Sequence, residues 1–151
     1  MYKFSDSSLS RLNTCHPDII EICKELIQVY DFSVLEGHRT LEKQQEHYKA
    51  GRSKLDGINK KSKHQSYPSM AIDIMPYAKG TNAFSGNIKD NARFYMMMGM
   101  VKAIAHKLLM QGKISHRVRF GLDWDNDNTF RDQSFDDLPH VEIYWCCFIL
   151  N

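Results

Sequence analysis

The stretch SKHQSYPSMAIDIMPY, residues 62–77, decides the fold. Its second half alternates, with Met70, Ile72 and Ile74 on one side and Ala71, Asp73 and Met75 on the other, the period of a strand. The spacing predicts a central strand whose one odd member is Asp73. A carboxylate inside a strand is poorly placed unless something positive meets it. His64 stands just ahead of the strand, and an imidazole and a carboxylate together can meet a metal ion.

Working outward, PDIIEICKELIQVY (residues 17–30) opens on a proline suited to a first helical turn. Ile19, Ile22, Cys23, Leu26, Ile27 and Tyr30 then recur at helical spacing. DFSVLEG (31–37) alternates and ends on glycine, as a short strand does. RTLEKQQEHYKAG (39–51) consists of good helix formers and stops at Gly51, leaving RSKLDGINKKSK as a polar, basic loop. After a loop over YAKGTNAFSGNIKDN (77–91), Phe94, Met97, Met98, Val101, Ile104, Ala105 and Leu108 form the stripe of a long helix that ends at Gly112. A methionine-rich stripe of this kind is core material. RVRFGL (117–122) and HVEIYWCCFIL (140–150) read as two further strands. Helices mixed with alternating strands give an α+β fold, a small antiparallel sheet packed against helices, expected as one domain over residues 1–151.

Composition sets limits. The chain is 42% hydrophobic and 25% charged, a balance that excludes global disorder. No segment approaches the roughly 20 apolar residues of a membrane-spanning helix, and MYKFSDSSLSRLN lacks the apolar stretch of a signal peptide. Synthesis and folding in a cytoplasm are expected. Cys15, Cys23, Cys146 and Cys147 form no CxxC pair, so a zinc ribbon is excluded and reduced, buried thiols are expected. Charge is unevenly spread. From Lys49 to Lys63 there are six Lys/Arg against one acid, and from Asp123 to Glu142 seven acids against one Arg. The basic run lacks the aromatic or helical element that nucleic-acid readout needs.

The acidic segment holds chemistry. In the last strand His140 and Glu142 share one face, and Val141, Ile143 and Trp145 share the other. If that strand lies beside MAIDIMPY, His140 approaches Asp73 and His64 approaches both. Two imidazoles and one carboxylate with a fourth position open suit a catalytic zinc better than a structural one. Asp137 stands three residues before His140, and Pro139 restricts Leu138 to extended backbone. That places Asp137 over the metal as a general base. Taken singly, a histidine before a strand is usually solvated and a strand aspartate can pair with Arg or Lys; the joint pattern is what points to a metal. No HExxH occurs, so that protease arrangement is absent. His16, His38, His47, His106 and His116 show no partner at ligand spacing. Tyr67, Tyr77 and Trp124 are candidates for lining a cleft.

SKHQSYPSMAID and DLPHVEI resemble the two zinc motifs of a metallopeptidase family. It includes D-alanyl-D-alanine carboxypeptidases and dipeptidases and phage L-alanyl-D-glutamate endopeptidases, and it shares a fold with the hedgehog signalling domain. The motif positions fall on Ser62, His64, Ala71, Asp73, Asp137 and His140. GHRTLEKQ resembles an earlier family motif and gives Arg39 and Gln44. The commoner family form has two fewer residues between histidine and aspartate, with a glycine among them, where this chain has a YPS detour associated with phage enzymes. Asp137 stands where the carboxypeptidases carry glutamate, and there too the chain is similar to the phage endopeptidases.

The resemblance implies zinc on His64, Asp73 and His140, with Asp137 as base. Arg39 and Gln44 would contact substrate, Arg39 binding a carboxylate or the developing oxyanion; the alternative for Arg39 is a surface ion pair. Ser62 and Glu142 would support the ligands, Glu142 by orienting a histidine or pairing with Arg39. The implied activity is that of a phage endolysin cutting the L-alanyl-D-glutamate bond of peptidoglycan. A monomer made without a signal peptide would reach the periplasm through a holin. The runner-up activity is a D-alanyl-D-alanine carboxypeptidase, and the alternative of another class is a non-catalytic zinc or calcium module that recognises the wall or a protein. Asp123, Asp125 and Asp127 are spaced like the opening of a calcium loop. The glycine of the sixth place and the glutamate of the twelfth, where Ser134 stands, are absent, so a full EF-hand is excluded and either a looser calcium site or a solvated acidic turn remains.

Overall fold

The apolar stripe of residues 17–30 forms a helix because its start is well capped. His16 accepts the Asp18 N–H through its side chain and Pro17 occupies the first turn. In the computed structural model, which describes residues 1–145, the elements in chain order are α1 (Asp6–Leu12), α2 (Pro17–Val29), β1 (Phe32–Glu36), α3 (Leu41–Lys49), a single 3₁₀ turn (Lys63–Gln65), β2 (Ala71–Pro76), α4 (Ile88–Met110), β3 (His116–Phe120) and β4 (His140–Trp145). Thr40 caps α3 and Asn87 caps α4. Helix α1 has no counterpart in the sequence reading. Only seven residues long and capped by Ser5, it is too short for a helical period to stand out, and packing on β1 holds it. The part of the expected last strand beyond Trp145, with Cys146 and Cys147, lies outside the described residues.

The four strands form one antiparallel sheet in the order β1-β2-β4-β3. Strand period two then sorts the side chains. Ile72 and Ile74 of β2, Val141 and Ile143 of β4, and Val118 and Phe120 of β3 are buried in a core with Ile19, Ile22 and Leu26 of α2 and Phe94, Met97 and Val101 of α4. Asp73, His140, Glu142 and Arg119 stand on the opposite parity, and the register pairs Asp73 with His140 and Arg119 with Glu142. A polar row therefore crosses three strands on the face away from α2 and α4. Cys15 and Cys23 are free, buried thiols, and burial pushes the Cys15 thiol up to about 12. The Tyr67–Pro68 peptide bond, in the YPS detour, is cis. Among the described residues no helix is long and apolar enough to cross a membrane.

Candidate metal centre

Three donor atoms converge on the polar face. His64 Nε2 lies 3.2 Å from Asp73 Oδ1 and 3.3 Å from His140 Nδ1, and His140 Nδ1 lies 3.1 Å from the same Asp73 oxygen. Each comes from a different element. Ser62 accepts the His64 N–H and, with Gln65, forms a capping box around the 3₁₀ turn that carries His64. Asp73 and His140 are brought opposite each other by the β2–β4 register. Ligands about 2.0–2.1 Å from a tetrahedral zinc stand about 3.3 Å from one another. The donor set and its spacing fit such an ion.

The outer ring nitrogens are tied. His64 Nδ1 is 2.7 Å from the Gly37 carbonyl oxygen, which can only accept, so Nδ1 carries the hydrogen and Nε2 presents its lone pair inward. His140 Nε2 is 3.2 Å from Glu142 Oε2 and donates to it, which turns Nδ1 toward Asp73. Glu142 is in turn held by Arg119, whose Nε donates to Oε1 at 3.0 Å. Imidazoles held this way by a carboxylate or a carbonyl are characteristic of metal ligands. The three groups are also coupled by charge. Burial alone would raise the Asp73 carboxyl, but the two imidazoles outweigh it and hold Asp73 far below the usual carboxylate range. Burial would lower the His140 imidazole, but hydrogen bonds to Asp73 and Glu142 outweigh it and raise it to about 9.

Asp137 is brought beside this cluster by a tight turn. The Asp137 carbonyl accepts the His140 N–H at 3.1 Å, the bond that closes a four-residue turn, and the Asp137 N–H donates to Gly121 at 2.8 Å. Gly121 is required there: a Cβ would lie 2.7 Å from Asp137 Cβ and 3.0 Å from His140 Cβ and would strike the Asp137 carbonyl. Burial, with the Asp73 charge added, raises the Asp137 carboxyl above its ordinary value. Asp137 and the three converging residues line one cleft of about 760 Å³. Arg52, Lys54, Lys61 and Lys63 of the basic loop form one wall and Trp124, Asp132 and Phe135 the other. Lys54 lies 5.0 Å from the Phe135 ring centroid, so the walls meet.

Several expectations change. Arg39 is not a surface residue: it is buried, its Nε donates to Glu36 at 2.8 Å and its Nη1 to Gln44 at 2.9 Å, and Nη2 reaches Asp73 Oδ2 at 3.5 Å. Gln44 has no exposed surface and binds Arg39, Ser53 and the Leu55 carbonyl, so it braces Arg39 and the basic loop rather than touching substrate. Glu142 orients His140, but its cation is Arg119, not Arg39. Nothing in the sequence pattern singled out Arg119 or Glu36; the available signal was the alternation of Arg117 and Arg119 in RVRF. Of the aromatic candidates, Trp124 lies tilted on His140 with ring centroids 5.3 Å apart. Tyr67 and Tyr77 are exposed and away from the cleft lining, Tyr67 resting on His38. His16 and His116 do have a partner, Asp18, the three offering donor atoms within 4.8 Å of one another. Asp123, Asp125 and Asp127 also form such a group, Asp123 buried and the other two exposed.

A sequence model of the family described as phage L-alanyl-D-glutamate peptidase matches residues 1–144. The chain belongs to that family. It is 27% identical over 148 residues to the L-alanyl-D-glutamate peptidase of Escherichia phage T5, covering 94% of this chain and 98% of that one. Its fold is similar to that of the Serratia marcescens L-Ala D-Glu endopeptidase ChiX, with a TM-score of 0.65 and 23% identity over 93% of this chain and 89% of ChiX. The likeness to ChiX extends to the α+β architecture, a four-stranded antiparallel sheet with α2 and α4 packed on one face.

Proposed function

We propose that the chain is a zinc-dependent endopeptidase that hydrolyses the L-alanyl-D-glutamate bond of the peptidoglycan stem peptide and serves as a phage lysis enzyme. The observation that carries this reading is the convergence of His64, Asp73 and His140 at 3.1–3.3 Å in a cleft that also holds Asp137, in a member of a family described by that bond. Zinc bound by these three residues would polarise the scissile carbonyl and lower the pKa of a bound water toward about 7.

The chain's own groups do the rest. Asp137, its basicity raised by burial, takes the proton of the attacking water and delivers it to the leaving amine, the alternation a general base performs. Arg39, fixed by Glu36 and Gln44, holds the Asp73 oxygen that faces away from the histidines and directs the other toward them. The wall of Arg52, Lys54, Lys61 and Lys63 suits a stem peptide rich in carboxylates. Replacing Asp137 with Ala is the test: turnover falls by about 10²–10⁴ with zinc content unchanged, whereas an unaffected binding module would retain wall binding and never have cleaved. Passage to the wall through a pore made by a holin belongs to the phage-lysis reading and to no residue here.

Calcium at Asp123, Asp125 and Asp127 is proposed from the loop's backbone. Asn128, at the sixth place where calcium loops carry glycine, has φ 71, the left-handed conformation glycine supplies there. The neighbouring Trp124 contacts His140, so an ordered loop would steady the cleft wall. Added calcium should raise the melting temperature and activity of chelator-treated, zinc-restored protein; no change in either would exclude it.

A further inference from the structure

The core face of the sheet holds a second group of the same composition as the candidate metal centre. His116 is the first residue of β3 and shares the parity of Val118 and Phe120, so it points inward, away from Arg119 and the cleft. There it meets the start of α2. His116 Nδ1 lies 2.7 Å from Asp18 Oδ2, and His16 Nδ1 lies 3.7 Å from Asp18 Oδ1. One nitrogen of each imidazole and one Asp18 oxygen all lie within 4.8 Å of one another.

The likeness to the first group extends to the rings. His16 and His116 stand edge to face with centroids 4.7 Å apart at 71°, against 5.1 Å and 61° for His64 and His140. His116 is 1% exposed and its ring packs on Trp145 with centroids 4.2 Å apart, which holds Nδ1 toward Asp18. Asp18 Oδ2 is braced by the Ser115 and His116 N–H groups at 2.8 and 3.0 Å, so this carboxylate is oriented as a metal ligand's is.

We propose that His16, Asp18 and His116 form a second divalent-metal site, of the class that takes zinc, on the opposite face of the sheet from the cleft. Two imidazoles and a carboxylate suit first-row ions such as zinc rather than calcium or magnesium, which prefer all-oxygen sites. His16 is half-buried, which leaves room for water to complete the coordination. An ion here ties the start of α2 to the start of β3, residues 98 positions apart in the chain, and so acts on stability rather than turnover.

The experiment is native mass spectrometry of the full chain in excess zinc, with cobalt substitution read by visible absorption as a second measure. Wild type is expected to hold two ions. His16→Asn keeps a side chain that can cap α2; with an unchanged circular dichroism spectrum it is expected to hold one ion and keep its peptidase activity. His140→Ala is expected to hold one as well, lost on adding His16→Asn. A single ion on wild type, or two on His16→Asn, would overturn the proposal.

Discussion

Asp73 of β2 and His140 of β4 occupy directly paired positions in adjacent antiparallel strands, with Oδ1 and Nδ1 3.1 Å apart. That pairing converts two residues 67 positions apart in sequence into two of the three donors of the candidate metal centre, and a sheet register is a rigid way to do so. A slip of one residue in either strand would turn that strand's member of the pair into the core. His64 completes the group from a capped turn, and the nitrogens not facing the centre are fixed by Gly37 and Glu142.

Removing the support behind His140 should weaken the metal before it disturbs the fold. Glu142→Gln keeps an acceptor for His140 Nε2 and loses the charge that Arg119 holds. Zinc affinity, measured by competition with a chromophoric chelator, is expected to fall about 10–100-fold, the usual cost of losing an outer partner. Unchanged affinity would mean that the Arg119–Glu142 pair serves the sheet alone.

Gly121 tests whether the position of Asp137 matters. A methyl group at this residue meets the Asp137 carbonyl and the β-carbons of Asp137 and His140, and backbone cannot yield as a flexible side chain can. Gly121→Ala should cost about 1–3 kcal/mol of stability and a larger share of activity, because the turn carrying both residues must shift. A denaturant titration beside a kinetic assay separates the two, and full activity in the variant would contradict the geometry.

Stability should fail in acid through particular carboxylates. Burial opposes ionisation of Asp18 and Glu36, but hydrogen bonds from His116 and Ser115 to Asp18, and from Arg39 and Lys43 to Glu36, outweigh it and lower both below their ordinary values. A carboxylate lowered on folding contributes stability that is fully present above its unfolded pKa, about 3.9 for Asp and 4.3 for Glu, and lost as pH falls through the folded value. Chelator-treated protein should therefore gain stability as pH falls from about 9 toward 6.5, where His140 takes up its proton, hold it down to about pH 5 and then lose it steeply. Asp18→Asn should lower the plateau and flatten the fall; parallel curves for variant and wild type would refute this assignment.

Much of this was legible in the sequence because period two does not depend on distance along the chain. MAIDIMPY and HVEI each declare which residues share a face, and that sufficed to expect Asp73 and His140 together. Asp137 followed from its three-residue offset, and the turn its carbonyl closes onto the His140 N–H carries it there. What stayed hidden was pairing across elements. Nothing local marks Arg119 as the partner of Glu142, Glu36 as a buried acid for Arg39, or Asp18 as the meeting point of His16 and His116. Gln44 was misread as a substrate contact because a polar side chain on a polar helix gives no sign of complete burial, which here arises from the basic loop folding over it.

The most direct measurement is mass spectrometry of purified Gram-negative peptidoglycan after incubation with the zinc-loaded protein, with a chelator and then with zinc restored. The account predicts fragments whose new amino terminus is D-glutamate, abolished by the chelator and recovered with zinc. Loss of only a terminal D-alanine, or cleavage indifferent to the chelator, would contradict it.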